Sequence, residues 1–271
     1  MSWTPPRLDG KVAVVTGASR GVGKGIALAL GEAGATVHVT GRSTVDEVAA
    51  EVTERGGTGV AHRVDHTDDA RVAELFDDIG RIDLLVINAW GGYEKYDHEQ
   101  YSAPFWQQPL DFWPKMYERG LRMQYTTAHF ATPQLIEQQD GLVVFTGGWD
   151  DPDEYLGSIM YDVSKTGTSR LVRVLAHELR PHGIAVVGVY PGFTRTEGVV
   201  EAFASAGMEP PEETQSPEFA GRAVVHLAAD PDVLALSGTG AQTATYAQHY
   251  GFTDVDGRTF ERFQMPPELR L

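Results

Sequence analysis

The 271-residue chain carries 38 Asp and Glu against 22 Lys and Arg, a formal charge of -16, and 42% of its residues are hydrophobic. That is apolar material for one large core, without the composition of a disordered chain. The acidic balance excludes nucleic acid and anionic membrane surfaces as expected partners, because both are bound by basic side chains that displace counterions. With no cysteine, disulfides, thiolate metal sites and cysteine nucleophiles are excluded as well.

The opening stretch, Met1 to Lys11, has neither a basic start followed by an apolar run nor a small-residue cleavage site. No segment approaches the ~20 apolar residues that cross a bilayer. A cytoplasmic location is expected.

The first apolar run, Val12 to Val15, reads as a strand buried on both faces, and helical spacing follows from Gly23 to Ala33. The alternation continues with strand Thr36 to Val39, helix Val45 to Glu54, strand Gly59 to Val64, helix Asp68 to Ile79 and strand Ile82 to Ile87. Trp90 to Trp113 breaks the rhythm with eight of the chain's 26 aromatic residues in 24 positions, and reads as a packed insertion. Helix Phe112 to Glu137, strand Leu142 to Phe145, helix Tyr161 to Arg180 and strand Ile184 to Val189 resume it. Gly207, three prolines and several glutamates make Ala202 to Pro217 the core of an expected mobile loop over about 195–217. Helix Pro217 to Ala229 and a last strand, Gly240 to Thr245, complete the pattern. Strands alternating with helices predict an α/β fold: a doubly wound parallel sheet with helices on both faces.

Directly after the first strand comes Thr16-Gly17-Ala18-Ser19-Arg20-Gly21-Val22-Gly23. Glycines at a strand-to-helix turn let backbone N–H groups and the positive helix end approach a pyrophosphate closely, which suits a dinucleotide. Such turns also occur for packing alone. The spacing Thr-Gly-xxx-Gly-x-Gly resembles the cofactor loop of the short-chain dehydrogenase/reductase family. Tyr161-Asp162-Val163-Ser164-Lys165 is similar to that family's Tyr-xxx-Lys signature, and Tyr190-Pro191-Gly192-Phe193-Thr194-Arg195-Thr196 to its Pro-Gly-xxx-Thr stretch. The resemblance runs from about Leu8 to Val200 and extends to the last strand. It implies one NAD(P)-binding Rossmann-type domain over residues 1–271, with Gly17, Ser19, Arg20, Gly21, Val22 and Gly23 around the cofactor. It also implies that Asp65 contacts the adenine, that Asn88 and Ala89 line the adenosine ribose, and that Pro191, Gly192, Thr194 and above all Thr196 hold the nicotinamide end. Thr194 and Thr196 are equally suited to capping a helix.

An acidic residue at the end of the second strand would select NAD by accepting hydrogen bonds from its ribose. Here the strand ends Val39-Thr40-Gly41-Arg42. Arg42 has the planar fork that suits a 2′-phosphate, and Arg20 is a second candidate, so NADP(H) is expected over NAD(H). The competing reading makes both arginines solvated surface residues.

Tyr161 and Lys165, four apart, project from one helix face. An ammonium beside a phenol stabilises its phenolate, as proton donation to a developing alkoxide requires; a surface pair at the same spacing is the bland alternative. The resemblance implies that Lys165 also holds the nicotinamide ribose and that the substrate is a small carbonyl or alcohol. It further implies a homodimer or homotetramer joined through helices Phe112 to Glu137 and Tyr161 to Arg180.

Two positions depart from the family. Its catalytic Ser, 12–14 residues before the Tyr, is replaced by Gly147, Gly148 and Trp149, so Thr146 or Ser158 is left to supply the hydroxyl. Losing one preorganised donor typically costs ~10²–10³ in rate. Its relay Asn falls on Gly120. An NADPH-dependent oxidoreductase with Tyr161 as acid/base, Lys165 as its partner and Thr146 as helper is therefore set against a cofactor-binding regulator with little turnover. The aromatics of residues 90–113 either cover an apolar substrate or pack against protein. Asp150 to Glu154 reads as a solvated turn or as a screen against anionic substrates. His62 and His66 do not share a helix face, and no metal site is expected.

Overall fold

Val-rich segments with every residue buried can be satisfied only in the middle of a sheet covered on both sides, and that is where they lie. A computed structural model describes residues 3–92, 103–149, 151, 153–205 and 207–265. Its seven strands are β1 (Val12–Val15), β2 (Thr36–Gly41), β3 (Thr58–Arg63), β4 (Leu84–Ile87), β5 (Gly141–Thr146), β6 (Ile184–Tyr190) and β7 (Gly240–Gln242). They form one parallel sheet in the order β3-β2-β1-β4-β5-β6-β7. The chain runs outward from β1 to β3, then crosses back to β4. The carboxyl ends of β1 and β4 therefore flank the switch point, where ligands of such sheets bind.

Helices α1 (Gly21–Glu32), α2 (Val45–Glu54), α3 (Asp69–Ile79), α4 (Phe112–Met116), α5 (Met123–Gln138), α6 (Ile159–Leu179), α7 (Glu197–Ser205), α8 (Pro217–Ala229) and α9 (Thr243–Tyr250) accompany the strands. Alternate strand residues divide the core in two, as the two-residue period of a strand requires. Ala13, Val15, Val86 and Val144 pack with Ile26 of α1, Val48 of α2 and Phe219 of α8. Val14, Leu85, Val143 and Phe145 face the other way, toward Phe76 of α3, Leu135 of α5 and Val172 of α6. Helices thus cover both faces of a single doubly wound domain. Among the described residues, no helix is long and apolar enough to cross a membrane.

Three expectations are corrected. The last strand stops at Gln242, and Thr243 to Thr245 open α9. Thr243, Ala244, Tyr246 and Ala247 are buried at helical spacing, and the Tyr246 hydroxyl donates to the Gly188 carbonyl at 3.0 Å. The segment expected as a loop from about residue 195 contains α7, and Thr194 bridges Gln215 beyond it. The expected helix Phe112 to Glu137 is interrupted by a π-helical turn, Tyr117–Arg122, between α4 and α5. Of the aromatic stretch, residues 93–102 lie outside the described residues. In the rest Phe112 is buried, but Phe105, Trp106 and Trp113 are 58%, 72% and 55% exposed.

Candidate active site

The glycine turn is held by what surrounds it. Gly17 (φ +63°) lies so close to the β4 end that a Cβ there would be 2.7 Å from the Ala89 Cα, and a Cβ on Gly23 would be 2.5 Å from the Gly17 carbonyl oxygen. Only glycine allows these approaches. Thr16 and Asn88 lock the turn to the switch point. The Asn88 and Ala89 N–H groups donate to Thr16 Oγ1 at 2.9 and 3.0 Å, and Asn88 Nδ2 donates to the Thr16 and Gly17 carbonyls at 2.9 and 3.1 Å. Thr146 Oγ1 donates to Asn88 Oδ1 at 2.9 Å. One side chain thereby ties the ends of β1, β4 and β5 together. A substrate oxygen reaching for the Thr146 hydroxyl would have to compete with that bond.

At the N-terminus of α1 the Gly21 N–H donates to Glu197 Oε2 at 2.8 Å. The turn therefore already holds an anion, the chemistry expected of a phosphate site. Glu197 was not singled out from sequence; its position next to Thr196 was the available signal. Thr196 Oγ1 caps α7 by accepting the Val199 N–H at 3.3 Å, and its methyl faces Gly21. Thr194 Oγ1 donates to the Gly192 carbonyl at 3.0 Å, and the Gly192 N–H donates to Gln215 Oε1 at 3.1 Å. The stretch from Pro191 to Thr196 is thus braced on the segment after α7.

Ser19 packs its hydroxyl against Gly41, and its carbonyl accepts Thr44 Oγ1 at 3.1 Å. Val22 packs on the core, whereas Arg20 and Arg42 are exposed at the ends of the turn and of β2. Burial raises the Asp65 carboxyl, but hydrogen bonds from the Thr67 N–H and hydroxyl and the charge of Arg42 outweigh it and hold the group below its ordinary value. Next to it His66 is buried, with Nε2 2.7 Å from Thr40 Oγ1, and burial lowers its pKa to about 4. His62 pairs instead with His38 at 2.8 Å. Among the described residues no group of three or more metal-ligating side chains is assembled.

Tyr161 and Lys165 share a face of α6, with the ammonium 5.3 Å from the phenol ring centroid. Lys165 is only 8% exposed, and burial lowers its pKa to about 7. Gly147 borders it: φ is +81°, and a Cβ there would be 3.0 Å from Lys165 Nζ. Ser158 is fully buried at the N-terminus of α6, and its hydroxyl has no hydrogen-bond partner. Asp151 and Glu154 are held by the C-terminal segment. Arg262 pairs with Asp151 at 2.9 Å, the Met265 N–H donates to Glu154 at 3.1 Å, and Phe263 meets Trp149 edge-on. Asp150 and Pro152 lie outside the described residues.

The profile of the short chain dehydrogenase family matches residues 11–206. Dehydrogenase/reductase SDR family member 1 of Mus musculus is 36% identical over 273 residues, covering 93% of this chain and 85% of the mouse protein. A 7α-hydroxysteroid dehydrogenase structure, complexed with NADH and 7-oxo glycochenodeoxycholic acid, has a TM-score of 0.73 at 27% identity, covering 87% of this chain and 93% of that one. A metagenomic short-chain oxidoreductase in complex with NADP has a TM-score of 0.66 at 26% identity, covering 83% and 93%. Sequence profile, relative and sheet topology agree: the chain belongs to the short-chain dehydrogenase/reductase family of oxidoreductases.

Proposed function

We propose that the protein is an NADPH-dependent oxidoreductase of small carbonyl and alcohol compounds, with Tyr161 as the acid/base and Lys165 as its electrostatic partner. The observation that carries the reading is the buried Lys165 ammonium beside the Tyr161 ring, 5.3 Å away on one helix face. The residues present fit a dinucleotide. An anion already sits at Gly21, and β2 ends in Arg42 with no carboxylate to repel a 2′-phosphate.

In this reading the loop from Gly17 to Gly23 receives the pyrophosphate, Arg42 and Arg20 the 2′-phosphate, and Asp65 and Ala89 the adenosine. Pro191, Gly192, Thr194 and Thr196 border the nicotinamide end. When bound, the nicotinamide supplies or accepts a hydride. In the reducing direction Tyr161 Oη gives its proton to the substrate oxygen, and the Lys165 charge offsets the phenolate left behind. Asn88, fixed by Thr16 and Thr146, keeps the carboxyl ends of the strands in register. The exposed Tyr125 of α5 and Val163 and Val174 of α6 suit burial between subunits of a homodimer or homotetramer.

Deuteride transfer from C4-labelled NADPH, with NADH alongside, to a panel of aldehydes, ketones and quinones tests the reading. Tyr161→Phe is expected to lose transfer while keeping NADPH affinity. Arg42→Ala is expected to lose about tenfold of the preference for NADPH, one charged hydrogen bond being worth ~1.5–3 kcal/mol. A second reading, a cofactor-binding regulator with little turnover, is favoured by the Thr146 hydroxyl being engaged with Asn88; NADPH binding without transfer to any acceptor would select it.

A further inference from the structure

We propose that Trp90 is a positioning residue of the proton-transfer site: its indole face holds the Lys165 ammonium, in a space that Gly120 and Gly92 keep open. The inference rests on the reading of Tyr161 and Lys165 as the proton-transfer pair. Lys165 Nζ lies 4.1 Å from the Trp90 ring centroid, nearer than the 5.3 Å to Tyr161. The indole also meets the Tyr161 ring edge-on, with centroids 5.8 Å apart and planes at 77°. One side chain therefore touches both members of the pair.

The space is made by two glycines. A Cβ on Gly120 would lie 2.7 Å from Trp90 Nε1, and one on Gly92 would lie 2.6 Å from its Cη2. Neither position accepts a side chain while the ring stays. Gly120 sits in the π-helical turn, and the chain beside Trp90 is pinned to that turn by the Gly91 N–H donating to the Arg119 carbonyl at 2.7 Å. Gly147 also borders the ammonium, where a Cβ would lie 3.0 Å from Nζ. The polar side chain expected at residue 120 and the indole are thus mutually exclusive. This chain surrounds its lysine with an aromatic wall.

Among the described residues, no carboxylate offsets the burial of Lys165. Tyr161 is the titratable group beside it on α6, and neighbouring Asp162 is turned to the Leu156 N–H at 2.9 Å. The end of β5 brings the uncharged Thr146 and Gly147. Glu118, Arg119 and Arg122 of the π turn are exposed, and Arg122 pairs with Asp69 and Glu118. A desolvated ammonium over an indole face is stabilised in its charged form. Removing the face lowers the lysine pKa further, by about 1 pH unit.

The test uses the whole protein without cofactor, labelled with 13C-lysine. With five lysines in the chain, the ε-methylene signals are resolvable by NMR. The wild type is expected to show one signal displaced upfield by the indole and titrating near pH 7. Trp90→Leu should lose the displacement and titrate about 1 pH unit lower, and Trp90→Phe should recover part of both. Gly120→Ala, which pushes the ring aside, should reproduce the leucine variant with Trp90 still present, and it carries the test if Trp90→Leu does not fold. An unchanged displacement and midpoint in both Trp90→Leu and Gly120→Ala would overturn the proposal. NADPH and NADH titrations of the wild type judge the functional reading separately: absence of binding sinks that reading, whereas the lysine titration alone decides the place of Trp90.

Discussion

Gly147→Ser adds, on paper, the hydroxyl that the resemblance of the motifs implies at this place, and the structure predicts that it slows hydride transfer. With φ at +81°, residue 147 is in the left-handed region, where a side chain costs roughly 1–2 kcal/mol. For a domain of this size, at about 2–4 °C per kcal/mol, that is a fall of about 2–8 °C in Tm. The new Cβ would also sit 3.0 Å from Lys165 Nζ, so the ammonium must shift by a few tenths of an ångström from its place between the indole and Tyr161. Since a misplacement of about 1 Å can cost ~10²-fold, a loss of about tenfold in single-turnover hydride transfer is expected. Gly147→Ala carries the same strain without a hydroxyl and separates the two effects. Thermal unfolding and stopped-flow NADPH oxidation measure them. A serine variant with unchanged Tm and faster transfer would refute both the backbone assignment at residue 147 and the position of the lysine.

Glu197→Gln keeps an acceptor for the Gly21 N–H but removes a negative charge from the α1 N-terminus. NADPH should then bind about 3–10-fold more tightly at low salt, and fluorescence titration showing equal or weaker binding would contradict a phosphate site there. His66 should govern part of the acid sensitivity. Its folded pKa, about 4 through burial, is below the ordinary 6.5. The unfolded chain therefore takes up the extra proton between those values. Stability is complete above pH 6.5 and is lost as pH falls toward 4, by on the order of 3 kcal/mol from about 2.5 units at ~1.36 kcal/mol each. Urea unfolding of wild type and His66→Gln across that range should show the steeper loss in the wild type; parallel losses would exclude His66 as the cause.

What could be read in the sequence was local. Val45–Glu54 and Pro217–Ala229 have the expected ends because an apolar stripe and, for the latter, a Ser-Pro start determine them without help from elsewhere. The glycine turn and the Tyr161–Lys165 pair depend on short spacings and were equally visible. Thr243 to Thr245 looked like a strand because β-branching favours strands, but burial of Ala244 and Ala247 at helical spacing and the Tyr246 bond to Gly188 won. Glu197–Ser205 was obscured by the glycine and prolines that follow it. The juxtaposition of Trp90, Gly120 and Lys165 was illegible for a different reason: it joins three elements, and no residue among them signals the other two.

The segment after β5 is not held by its own neighbours alone. Arg262, Phe263 and Met265 fasten it, and Gln242 fastens them in turn, donating to the Phe263 carbonyl at 2.9 Å and accepting its N–H at 2.7 Å. Residues 262–265 lie beyond the stretch the family profile matches, so the segment after β5 is braced from outside the part of the chain that carries the motifs. Grafting the last ten or so described residues from a relative would therefore unfasten Trp149, Asp151 and Glu154 while leaving every motif intact, and a fusion joined there would disturb that segment too.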